Sequence, residues 1–119
     1  MKSHNKHSLT YLKFLSLVEA LREMPSFPLL EPMEERLLNA FAAAWHSGKQ
    51  LTVLQAMQLI PDVSSATVHR RLKTLTSKGY IEFGADSTDN RIKYLIPTAQ
   101  TANYFTKLGA ALNKATEPK

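Results

Sequence analysis

Apolar positions recur along the chain with a spacing that changes from segment to segment. Between Leu9 and Met24 they stand at 11, 12, 14, 15, 17, 18 and 21, a helical recurrence that covers more than one narrow stripe. A helix of this kind has two surfaces to bury, one on its own domain and one on something else. Pro25, Pro28 and Pro32 interrupt the pattern, so 25–31 reads as a connector. Pro32 suits the first turn of the next helix, where its missing N–H costs nothing, and Glu34 and Glu35 follow near the positive end. Leu37, Leu38, Phe41, Ala44 and Trp45 carry that helix to a stop at Ser47-Gly48.

The second half is more finely divided. Thr52 is placed to cap a short helix over Val53–Leu59, which Pro61 ends, and Ser64 or Ser65 caps another that stops at Lys78-Gly79. At about 100° per residue, Val68, Leu72 and Leu75 of this helix gather on one side. Ala66, Arg70, Lys73 and Ser77 take the opposite side, with His69 and Thr74 on its shoulders and Ser65 and Thr67 in the first turn. Tyr80–Phe83 and Arg91–Ile96 read as strands around a polar, turn-rich 84–90. Pro97-Thr98 opens a last helix bearing Ala99, Ala102, Tyr104, Phe105, Leu108 and Leu112. The expected fold is mainly α with a small β-hairpin wing, a winged helix-turn-helix with an added N-terminal helix. Residues 1–31 form that helix and connector, a candidate dimerisation arm; 32–112 form the winged domain; 113–119 form a tail expected to fray.

Composition narrows the chemistry. With 119 residues, 44% hydrophobic and 21% charged, the chain suits one globular domain. There is no cysteine, which removes disulfides, thiolate zinc sites and cysteine nucleophiles. The segment after the basic N-terminus is broken by Lys13, Glu19, Arg22 and Glu23, so no secretory or membrane-spanning stretch is expected there, and a cytoplasmic protein without a membrane partner is. Histidines 4, 7, 46 and 69 lack a cysteine or carboxylate cluster to complete a metal site. Ser64 and Ser65 lie near His69, but capping accounts for them, and neither a phosphate-binding glycine loop nor paired carboxylates appear. No enzyme and no cofactor are expected. The net charge is +5, and 64–84 holds four Lys or Arg against one Glu, the densest excess in the chain. That charge falls on the best helix of the second half and favours a polyanionic partner.

One stretch carries a resemblance. Val63-Ser64-Ser65-Ala66-Thr67-Val68-His69-Arg70-Arg71-Leu72-Lys73, running on to Lys78-Gly79-Tyr80-Ile81, resembles the recognition helix of the MarR-type family of bacterial winged-helix regulators. Asp86-Ser87-Thr88-Asp89-Asn90-Arg91, followed by Leu95-Ile96-Pro97-Thr98, is similar to the family's wing and its entry into the last helix. Pro97-Thr98 reverses the usual order, and this wing has few arginines. The resemblance covers roughly 32–108 and implies a bacterial transcriptional regulator that binds double-stranded DNA. It also implies that Asp89 braces the wing tip while Arg91 reaches the minor groove; an Asp89–Arg91 pair that only shapes the hairpin is the alternative. A small-molecule effector is open by the same analogy, and no residue specifies one.

In helix-turn-helix docking, the N-terminal part of the second helix enters the major groove. Small side chains at Ser65, Ala66 and Thr67 permit close approach, and Arg70 matches the paired acceptors of guanine. Lys73 suits a phosphate, and His69 a groove or phosphate contact. Arg71 falls nearer the core side, where it either pairs with Glu34 or Glu35 or reaches a phosphate from the edge. Thr52 and Gln55 can donate to a phosphate, although capping explains Thr52 equally well. Lys93 reads as the polar face of its strand. A homodimer follows from the need to read two half-sites, with helix 9–24 packing either across the dimer or within its own chain. Two alternatives stand: a winged-helix protein–protein module, and a plasmid or phage replication or partition protein that binds DNA.

Overall fold

A computed structural model describes residues 5–118. Five helices and three short strands follow in the order α1 Lys6–Arg22, α2 Pro32–His46, β1 Leu51–Thr52, α3 Val53–Gln58, α4 Ser65–Ser77, β2 Ile81–Ala85, β3 Lys93–Pro97 and α5 Ala99–Thr116. The chain forms two compact units. One is Leu30–Thr101; the other joins the chain up to Leu29 with Ala102 onward.

In the Leu30–Thr101 unit, each helix starts and stops where local chemistry dictates. Glu34 reaches back to accept the Glu31 N–H at 2.9 Å, and Pro32 stands in the first turn of α2. α2 closes at Gly48, whose φ of +87° costs an L-residue Cβ strain, with the Lys49 N–H returning to the Ala44 carbonyl. Thr52 and Gln55 form a reciprocal capping box on α3, with bonds of 2.9 and 3.0 Å. Ser64, rather than Ser65, caps α4 by accepting the Thr67 N–H. The same closing device recurs at Gly79, where φ is +88° and the Tyr80 N–H bonds the Leu75 carbonyl.

The core of this unit is the meeting of three faces. Leu37, Leu38 and Phe41 of α2, Val68, Leu72 and Leu75 of α4, and Ile81 and Leu95 of the sheet are all buried. α4 packs against α2, α3 and β2. The sheet is antiparallel in the order β1-β3-β2, with Leu51 opposite Leu95 and Phe83 opposite Leu95 on the other side. A two-residue strand before α3 therefore joins the expected hairpin. Trp45 secures it, its Nε1–H donating to the Leu95 carbonyl at 3.1 Å.

In the other unit, α1 begins three residues earlier than the apolar pattern indicates because Asn5 caps it, accepting the Ser8 N–H at 2.7 Å. Phe27 packs on Tyr104, with ring centroids 5.6 Å apart. α5 runs to Thr116, and Ala111 and Ala115 are buried, so Asn113–Thr116 is ordered helix rather than the expected frayed tail. Small residues recurring every four positions bury one face of the last turns, which a propensity argument about chain ends overlooks. Leu9, Tyr11, Leu12 and Leu15 of α1 remain 41–59% exposed. Among the described residues no helix is long and apolar enough to cross a membrane.

Candidate nucleic-acid interface

The burial of Val68, Leu72 and Leu75 sets the rotation of α4 and so decides what it presents outward. Ser65, Ala66, His69, Arg70 and Lys73 are exposed, whereas Thr67 is half-buried. The Thr67 hydroxyl accepts from Ser64 Oγ at 2.9 Å, which ties it to the cap. Among the described residues no hydrogen bond or ion pair engages the side chains of His69, Arg70 or Lys73. Two free cations with small neighbours make a surface that a polyanion can approach without first breaking a bond.

Two hollows line up beside this face. One, of about 310 Å³, is bounded by Val53, His69, Leu72, Lys73, Phe83 and Lys93. The other, of about 530 Å³, is bounded by Thr52, Val53, Leu54, Met57, Arg91, Ile92 and Lys93. Val53 and Lys93 belong to both. The start of α3, the outer face of α4 and the loop end of the hairpin thus share one strip, which brings Thr52, His69, Lys73 and Arg91 onto the same side. Alternation along the strand identified Lys93 only as polar; its place at the junction of two hollows depends on β3 lying beside α3.

The wing tip is organised by two aspartates. Asp86 Oδ2 accepts the Thr88 N–H at 2.9 Å, the Thr88 hydroxyl and the Asp89 N–H at 3.1 Å, while Oδ1 accepts Tyr94 Oη–H at 2.9 Å. These bonds, the Thr88 hydroxyl first, hold the Asp86 carboxyl down at about 2. The Asp-Ser-Thr order is an Asx-turn signal, so this hub was legible in the sequence as more than a polar loop. Asp89 accepts from the Arg91 guanidinium through both carboxylate oxygens, at 3.0 Å each, and Arg91 lowers its carboxyl below the ordinary range. The Arg91 side chain is nonetheless 89% exposed.

Thr52, by contrast, has its hydroxyl accepting within the capping box. Glu34 is the residue whose setting the sequence reading missed. It is fully buried, at the apolar spacing of Leu37, Leu38 and Phe41, and that spacing was the available signal. Lys78 Nζ lies 2.7 Å from its Oε1, and Arg71 reaches Glu31 at 2.7 Å and Glu34 at 4.0 Å. Burial pushes the Glu34 carboxyl up, but the Lys78 and Glu31 hydrogen bonds and the two cations together hold it below its ordinary value. Among the described residues no three metal-ligating side chains cluster; His7 and His46 are exposed, and His4 lies outside the described residues.

With this geometry, solved structures show the same fold in MarR-type winged-helix regulators. A mutant MepR from a multidrug-resistant S. aureus clinical isolate aligns with a TM-score of 0.62 at 16% identity, over 96% of this chain and 79% of that one. A transcriptional regulator from Thermotoga maritima aligns at 0.60 and 15% identity, over 91% and 68%. A mutant MarR from E. coli, solved in complex with operator DNA, aligns at 0.58 and 19% identity, over 92% and 72%. At these identities the likeness is one of fold. No family model and no curated protein matches the chain.

Proposed function

We propose that this chain binds double-stranded DNA in a sequence-specific way, as a homodimeric bacterial transcriptional regulator. The observation that carries the reading is the outer face of α4, where Arg70 and Lys73 stand free among small side chains on a helix whose opposite face is buried. α4 enters the major groove, with Arg70 reading guanine and Lys73 and His69 contacting the backbone. Residues 84–91 approach the minor groove, with Arg91 at the tip. The exposed apolar positions of α1, namely Leu9, Tyr11, Leu12 and Leu15, supply the surface for a second copy and make 1–31 a dimerisation arm. The solved MarR–operator complex, which has this fold, is a supporting analogy.

Fluorescence anisotropy with a random-sequence duplex, titrated at several salt concentrations, tests the reading. Log affinity should fall steeply and linearly with log salt as counterions are released. Folded protein that leaves the duplex unbound at low salt would overturn it. Sedimentation equilibrium tests the dimer separately: Leu12→Glu should shift the population toward monomer without unfolding it.

A further inference from the structure

The basic residues of α4 and its C-cap divide into two sets. Arg70 and Lys73 lie on the exposed face without partners among the described residues, whereas Arg71 and Lys78, two turns apart, share the flank that meets the start of α2. There Glu34, with none of its side chain exposed, holds Lys78 at 2.7 Å and lies 4.0 Å from Arg71, while Glu31 holds Arg71 at 2.7 Å. Arg71 and Lys78 are only 28% and 35% exposed at their side chains. Resting on the DNA-binding reading, we propose that Glu31 and Glu34 withhold Arg71 and Lys78 from phosphate, leaving Arg70 and Lys73 as the cations that α4 offers to DNA.

The physical reason is asymmetric cost. Moving Lys78 to a phosphate strips the buried Glu34 of its nearest counter-charge, which is strongly unfavourable, and moving Arg71 gives up its bond to the exposed Glu31 as well as its 4.0 Å approach to Glu34. Glu34 Oε2 and Arg71 Nε are already buried without a hydrogen-bond partner among the described residues, so losing a cation would leave this carboxylate with still fewer partners. Arg70 and Lys73 surrender nothing on binding. Phosphate contacts raise affinity for every sequence alike, so holding two cations back lowers binding to every duplex and leaves a larger share of what remains to base contacts. Glu31 and Glu34 therefore limit the sequence-independent part of the affinity without touching DNA.

The test is the salt slope on a random-sequence duplex, measured for the full chain and its variants. Lys73→Gln should flatten the slope by about 0.9, the loss of one phosphate contact, while Arg71→Gln leaves it unchanged. Glu34→Gln should steepen the slope and tighten binding at low salt. Glu31 is exposed enough for Glu31→Gln to read the same effect should the buried variant fail to fold. Circular dichroism identifies the folded variants. A slope flattened by Arg71→Gln as much as by Lys73→Gln overturns the proposal, as does an unchanged slope in every folded glutamate variant; both leave DNA binding itself standing. Failure of the parent chain to bind removes the premise and the inference together.

Discussion

α4 and the wing each offer basic side chains to the same strip of surface, yet they hold them differently. On α4, Arg70 and Lys73 project from a helix anchored by three buried residues and have no acceptor of their own among the described residues. On the wing, Arg91 projects from a loop anchored by hydrogen bonds, and Asp89 already occupies its guanidinium. Rigidity on α4 comes from apolar burial, which is independent of pH; rigidity in the wing comes from Asp86, whose hold depends on its charge. A cation free at a buried-face anchor suits reading, whereas a cation already paired must exchange one anion for another. On the proposed DNA-binding reading, base discrimination falls to the helix and a lesser share of affinity to the wing.

The largest expected effect strikes the anchor itself. Leu72→Ala should cost about 2–5 kcal/mol of stability, because the cavity lies between packed elements, whereas Ile92→Ala at the exposed wing should stay within about 0.5 kcal/mol. Denaturant unfolding of the two variants measures this, and equal costs would break the contrast. Next comes Arg70→Ala, expected to cost about 1–3 kcal/mol of specific binding and to relax the preference at one base position. Affinity measured on a selected site and on its point variants decides it; unaltered base preference would assign the reading elsewhere.

The third effect is confined to the wing and to acid. Asp86 is held near 2 in the folded chain and returns toward about 3.9 on unfolding. Its depressed value means that the bonds stabilise the wing above the unfolded value and lose that effect as pH falls from about 4 toward 2. Amide protection factors at Thr88 and Asp89, with intrinsic exchange divided out, should therefore fall over that window, and Asp86→Asn should abolish that fall. Smallest of all is Arg91→Ala, which should flatten the salt slope by less than Lys73→Ala because the Asp89 pair already screens its charge. An equal flattening would place the wing arginine on phosphate as firmly as Lys73.

Much of this organisation is legible in the chain itself. Val68, Leu72 and Leu75 at helical spacing are enough to put Arg70 and Lys73 outward, and Pro32, Thr52, Ser64, Gly48 and Gly79 mark ends that local chemistry enforces. Periodicity, caps and glycine turns act over four or five residues, so a linear string contains their causes. β1 escaped because a two-residue strand exists only through its pairing with β3, and Ala111 and Ala115 escaped because small residues give a faint apolar signal. The wing hub was half visible, as an Asx turn at Asp86 whose link to Tyr94 requires the hairpin to close.

What the sequence by itself determined is which residues lie on which face of each helix and where each helix stops. What only the tertiary structure decided is the fate of charges whose partners are distant in the chain. Arg71 lies forty residues from Glu31, and Lys78 forty-four from Glu34. Helical spacing brings Glu34 into the buried stripe, but whether a buried carboxylate meets a cation depends on how α2 and α4 pack. Local patterns reflect the backbone's own period, whereas the pairing of remote charges follows from packing, and packing is settled by the whole fold at once.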